Sequence, residues 1–86
     1  MARYSVETKL SPEEAIEGAV AYFGEAGLKL DVTEHSSCCV RFEGGGGHVH
    51  VTASGGAKTE VILETREWDY DVRQFMGRIR HATGTG

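Results

Sequence analysis

The chain has 86 residues, a length that fits one compact domain with a thin hydrophobic core. Thirteen acidic residues outnumber nine basic ones, and the net charge of −4 argues against a nucleic-acid-binding protein, which needs basic residues to neutralise phosphates. No run of about eighteen apolar residues occurs, so we expect neither a membrane span nor a membrane partner.

The N-terminus and the cysteines together favour a cytoplasmic protein. Residues 1–7 lack the apolar stretch of a secretory signal, and two adjacent cysteines cannot build a conventional disulfide framework. A regular strand holds neighbouring side chains on opposite faces, which disfavours a bridge between them. We therefore expect a buried, inert Cys38 and a partly exposed thiol at Cys39.

The first two predicted elements are a strand and a helix. Residues 3–10 alternate between apolar and polar side chains, the pattern of a strand with one buried face. Ser11 and Glu14 have the spacing of a capping box, and a proline stands between them at the first helical position. The apolar stripe that follows predicts a helix over residues 12–26, ended by Gly27.

Four more strands and a second helix follow. Alternating patterns predict strands over residues 28–33, 38–43, 48–53 and 60–66. Glycine tracts separate the last three of these, which indicates hairpins. Asp69 or Asp71 can cap the final helix, and its apolar stripe consists of Val72, Phe75, Met76 and Ile79. We expect residues 82–86 to fray.

This order predicts one α+β domain over residues 1–86, with the order β-α-β-β-β-β-α. The simplest assembly is one five-stranded antiparallel sheet with both helices on its apolar face. The order resembles the TBP-like arrangement and a shortened helix-grip domain. That resemblance is one of topology, and it implies that the first strand lies beside the last, in sheet order 1-5-4-3-2.

The side-chain patterns also predict strand registers. Phe42 opposite Val49 would place Glu43 opposite His48 and Arg41 opposite His50, and would put Cys38 in the core opposite Ala53. A three-residue second loop would then continue the pairing. It would place Val51 opposite Val61, Val49 opposite Leu63, His50 opposite Ile62 and His48 opposite Glu64.

The predicted face away from the helices is charged and mixed. It consists of Arg3, Glu7, Lys9, Lys29, Asp31, Arg41, Glu43, His48, His50, Glu60, Glu64 and Arg66. One interpretation is a solvated surface with cross-strand charge pairs. The other is an interface with a second copy or another protein, with Ile62 as an apolar contact, because a small domain gains stability by association.

Three features have the residue types of a chemical site. His48 and His50 point the same way from one strand, as two zinc ligands would, although no second pair has a recognised spacing. His48 with Glu43 or Glu64 could exchange protons, but no nucleophile accompanies them, so we expect no enzyme. The tract of residues 44–47 lacks the Lys-Ser/Thr ending of a phosphate loop and precedes a strand, so we interpret it as a flexible turn and expect no cofactor.

Trp68 and Tyr70 precede or open the last helix, where they could form a binding rim or close the core. We favour closure of the core.

The sequence as a whole predicts a non-enzymatic binding or protein-interaction domain that self-associates through its sheet. Two alternatives are a small apolar ligand held between sheet and helices, and a metal site at His48 and His50.

Overall fold

A computed structural model describes residues 2–80 of the chain, and the predicted frayed tail lies outside them. Five strands and two helices follow one another. They are β1 (Ala2–Thr8), α1 (Pro12–Phe23), β2 (Asp31–His35), β3 (Cys39–Gly44), β4 (Gly47–Ser54), β5 (Thr59–Arg66) and α2 (Asp69–Arg80). Neither helix within this range is long and apolar enough to cross a membrane.

The strands form one antiparallel sheet in the order β1-β5-β4-β3-β2. Both helices contribute their apolar stripes to a single hydrophobic cluster on one side of this sheet. The α+β class, the element order and the sheet order predicted from the sequence are thus confirmed. The face that lies away from the helices is called the outer face below.

Helix α1 begins as predicted and ends earlier. The Ser11 hydroxyl accepts a hydrogen bond from the Glu14 backbone N–H at 3.1 Å, and the Glu14 carboxylate accepts one from the Ser11 N–H at 2.9 Å. The predicted end at Ala26 and Gly27 is wrong, because Gly24 caps the helix. Backbone N–H groups of the following turn bond the carbonyls of residues 22–24, and this reversal brings Leu30 into the core.

The first predicted register is confirmed and the second is wrong by two residues. Phe42 lies opposite Val49, as expected. In the second hairpin, however, His48 lies opposite Arg66, His50 opposite Glu64 and Val51 opposite Leu63, and the connecting loop is longer than three residues. A shift of two residues leaves every side chain on its face, so the alternation of apolar residues cannot distinguish the two registers.

The tract of residues 44–47 forms the turn between β3 and β4. Gly44 and Gly47 pair with each other as strand residues, and only Gly45 and Gly46 form the turn, with φ of 58° and 80°. Positive φ at both central residues is typical of a type I′ hairpin turn. The Trp68 indole N–H donates to the Gly44 carbonyl at 3.0 Å, which attaches the turn to the start of α2.

Strand β2 departs from its prediction. The sequence pattern puts Val32 on a buried face, but its side chain is 43% exposed, and all five residues of the strand are exposed. The strand begins only at Asp31, and a bulge between Val32 and Glu34 interrupts its pairing with β3. A short, bulged edge strand of this kind lies outside the area that the helices cover.

Candidate functional site

The outer face brings together six of the predicted site residues. They are Arg41, Glu43, His48, His50, Ile62 and Glu64. Cross-strand pairing arranges them in rows that run across the sheet. One row is Arg3, Glu64, His50, Arg41 and Glu34, and the next is Arg66, His48, Glu43 and Asp31. Each histidine therefore has an acidic neighbour on one side and an arginine on the other.

This arrangement gives little support to a metal site. The arginine beside each histidine is a fixed positive charge that would oppose a bound cation. Within residues 2–80, no group of three or more His, Cys, Asp and Glu side chains could hold a metal ion. The metal site at His48 and His50 stays a prediction from the sequence.

Charge pairing on the outer face is of the weak, solvent-exposed kind. Arg41 Nε lies 3.1 Å from Glu43 Oε2, and the two side chains are 34% and 50% exposed. Exposed pairs of this type contribute about 0.2–1 kcal/mol each. A less polar row crosses the sheet beside the two charged rows. It is formed by Ser5, Ile62, Thr52 and Cys39.

Trp68 and Tyr70 have different environments. Trp68 is half-buried against the core and bonds the Gly44 carbonyl, as expected of a residue that closes the core. The prediction that Tyr70 closes the core is wrong: it lies on the first turn of α2 and is 71% exposed, because the buried face of that helix is formed by other residues. The two aromatic residues therefore do not form a common rim with the outer-face residues.

The prediction of two free cysteines is wrong. Cys38 and Cys39 form a disulfide, and Cys38 is exposed rather than buried, while Cys39 is partly exposed as expected. The reason is that β3 begins at Cys39, so Cys38 belongs to the turn after β2, although its carbonyl still accepts a hydrogen bond from the Ala53 N–H at 2.8 Å. In that turn the Ser36 N–H bonds the Cys39 carbonyl at 2.8 Å, and the Ser36 hydroxyl lies 3.5 Å from Cys38 Sγ.

We expect this disulfide to be reducible without loss of the fold. It joins adjacent residues, and the stabilisation that a disulfide provides decreases as the closed loop becomes shorter. Iodoacetamide should leave the protein unmodified, and should alkylate both cysteines after dithiothreitol treatment, with an unchanged circular dichroism spectrum. Intact-mass spectrometry measures the number of groups added, and alkylation of the untreated protein would contradict the bridge.

Two features of the structure go beyond the predictions from the sequence. The first is the charge symmetry of β1, the edge strand of the predicted sheet order, where Arg3 and Glu7 flank Ser5. That symmetry is visible in the sequence once the strand is known to be an edge. The second is a groove of about 610 Å³ between α1 and α2, beside Gly18 and Arg78.

Tyr4 connects β1 to α2. Its hydroxyl donates to Asp69 Oδ2 at 2.7 Å. This hydrogen bond, with burial as a second cause, raises the pKa of Tyr4 above its ordinary value, because the carboxylate favours the protonated phenol. At the other end of β1, the Thr8 hydroxyl donates to the Ile79 carbonyl at 2.6 Å. Helix α2 is therefore fixed along the edge strand at both ends.

The fold and these surfaces define a small α+β protein with one open antiparallel sheet, helices on one side and an exposed edge strand. Comparison with protein-family models, with curated proteins and with solved structures finds no match.

Proposed function

We propose that this protein is a non-enzymatic interaction domain that self-associates by pairing β1 with β1 of a second copy. The single observation that supports this most is the arrangement of charges along the β1 edge. The dimer would join the two sheets into one sheet of ten strands. The cytoplasmic location and the likeness to TBP-like and helix-grip domains stay predictions.

The two edges of the sheet differ in how well they are protected against pairing. Strand β2 is short, bulged and charged, and these features prevent an edge strand from pairing with another chain. Strand β1 has seven residues and a continuous register with β5, without a bulge or a proline. Since α2 holds β1 at Tyr4 and Thr8, the strand offers a long and rigid template for another strand.

The β1 sequence is complementary to itself in the antiparallel direction. A two-fold axis through Ser5 would place Arg3 opposite Glu7 of the second copy, and Glu7 opposite its Arg3. On the face toward the helices, Tyr4 would lie opposite Val6 of the second copy. Opposite charges and an apolar pair at these positions each stabilise an antiparallel ladder.

The monomer also contains a charge conflict that the dimer would relieve. Glu7 lies directly opposite Glu60 of β5, and like charges at such positions are destabilising. Lys9, Lys58 and Arg80 border the same end of β1, but none of them lies within ion-pair distance of Glu7, nor does any other cation among residues 2–80. Arg3 of the second copy would lie on the other side of Glu7 and compensate this charge.

Helix α2 adds a second complementary surface. It runs along β1 in the same direction, since its first residue contacts Tyr4 and its last turn contacts Thr8. In the dimer the two α2 helices would therefore be antiparallel. The acidic first turn, with Asp69 and Asp71, would approach the last turn of the second copy, where Arg80 supplies a basic side chain.

The size of the contact sets the expected affinity. A seven-residue edge is about 24 Å long, and with its helix layer it would bury roughly 1,000 Å² in total. This is near the lower limit for a specific interface. We therefore expect a dimer with a dissociation constant in the micromolar range.

Charge reversal tests the proposal. Arg3→Glu should weaken the dimer roughly ten- to hundredfold, because symmetry replaces two attractive pairs with two repulsive ones. Glu7→Arg should do the same, and the double variant should restore association. Sedimentation velocity from low micromolar to millimolar protein measures the dissociation constant.

Arg66→Glu is the matched control, since it makes the same charge change on the outer face of β5 and should leave the dimer unchanged. A wild-type protein that stays monomeric throughout the range would overturn the proposal. Failure of the Arg3→Glu/Glu7→Arg double variant to restore the dimer would overturn it as well. If Ile62→Lys abolished that dimer instead, the outer face would be the interface.

A further inference from the structure

We propose that the groove between α1 and α2 binds a small aromatic carboxylate. The site is independent of the β1 edge, because none of its lining residues belongs to that strand. Its volume of about 610 Å³ lies within the range of small-molecule sites.

The groove is open because α1 has small side chains where it faces α2. Gly18 and Ala21 line one wall, and a methyl group at Gly18 would lie 3.8 Å from the Phe75 ring, with no closer contact. Phe75 and Ile79, both buried, form the floor. A larger residue at position 18 would fill this space, so the glycine keeps an apolar surface accessible.

Tyr22 and Leu28 supply the apolar surface that a ligand would contact. Both are half-buried and pack against the core with one side only. The Tyr22 ring lies 5.6 Å from that of Phe75, at an angle of 51°. A flat aromatic body can stack or pack edge-on against such rings, whereas a flexible chain would lose more conformational freedom on binding.

Arg78 determines the charge of the ligand. Its guanidinium carbon lies 5.0 Å from the centroid of the Tyr22 ring, and no carboxylate is within ion-pair distance of it among residues 2–80. The guanidinium lies over the Tyr22 ring at the rim of the groove with its charge unpaired, and its donors match the two oxygens of a carboxylate.

Tyr22 can add a hydrogen bond to the bound carboxylate. A tyrosine phenol is protonated at neutral pH, and here burial, and next the charge of Asp71, raise its pKa further, while Arg78 acts in the opposite direction. The phenol can therefore donate a hydrogen bond to the carboxylate that Arg78 holds.

The test uses 1-naphthoate and its neutral analogue 1-naphthalenemethanol, titrated into the ¹⁵N-labelled protein and followed by NMR. Naphthoate should shift the amides of Ala21, Tyr22 and Phe75, and should bind at least about tenfold more tightly than the alcohol. Arg78→Gln should remove this difference. Arg73→Gln is the control, since it neutralises an exposed arginine on α2 that does not line the groove.

Gly18→Leu should fill the groove and abolish binding, while circular dichroism shows an intact fold. The Arg3→Glu variant should bind naphthoate like the wild type, so loss of the dimer and loss of the ligand site are separable. The proposal is overturned if naphthoate causes no shifts up to millimolar concentration. Equal affinity of the acid and the alcohol, or equal effects of Arg78→Gln and Arg73→Gln, would also overturn it.

Discussion

Phe23→Ala is expected to destabilise the fold by about 3–5 kcal/mol, the cost of removing a fully buried aromatic side chain and leaving a cavity. Phe23 is inaccessible to solvent. A domain of this size has a total stability of about 5–15 kcal/mol, so the substitution removes a large part of it. The midpoint of thermal unfolding should fall by roughly 12 °C or more.

The large effect follows from the place of Phe23 in the core. Its ring lies 5.0 Å from that of Tyr22, 5.4 Å from Phe75 and 5.5 Å from Phe42. These partners belong to α1, α2 and β3, so one side chain connects both helices to the sheet. Because these three elements cannot close the cavity independently of one another, we expect the loss of stability to lie in the upper part of the 3–5 kcal/mol range, that is, at about 4–5 kcal/mol.

Tyr70→Ala is the matched control, because it removes an aromatic side chain that is 71% exposed. Its effect should stay within about 0.5 kcal/mol. Urea titrations followed by circular dichroism measure both variants, at one protein concentration because association contributes to apparent stability. Equal losses for the two variants would contradict the central position of Phe23.

The fold was predictable from the sequence because local signals and hydrophobic alternation agree with each other. The capping box at Ser11 and Glu14 determines where α1 starts, and the alternation along β4 and β5 determines which residues are buried. The predictions that failed depend on tertiary detail. The end of α1 at Gly24 depends on hydrogen bonds from the following turn, and the register of β5 depends on loop length rather than on alternation.

The candidate sites were less predictable, for a related reason. The sequence predicts correctly that Glu43, His48 and His50 lie together, since their register follows from one tight turn. The Cys38–Cys39 bridge depends on where β3 begins, and alternation does not determine strand ends to one residue. The charges of β1 gain a structural role only once the strand is placed at an edge, where no other strand among residues 2–80 pairs with its outer side. A local pattern determines neither the start of β3 nor the edge position of β1.

Gly47→Ala is expected to destabilise the fold by about 3 kcal/mol, at the upper end of the range for overpacking. A Cβ atom at this position would overlap the Arg66 carbonyl oxygen, and would lie 2.7 Å from Glu67 Cβ and 2.9 Å from the Arg66 carbonyl carbon. Backbone atoms cannot rotate away as a flexible side chain can. The end of β4 would therefore have to separate from the end of β5.

Gly77→Ala provides the comparison, since it makes the same chemical change in the interior of α2, where an added Cβ meets no atom within 4 Å. There the substitution should stabilise the protein by about 1 kcal/mol, because alanine favours the helix. The two variants should shift the urea midpoint in opposite directions. A neutral Gly47→Ala would mean that β4 and β5 do not approach closely at this end. The pairing of His48 with Arg66, on which the outer-face rows depend, would then be wrong as well.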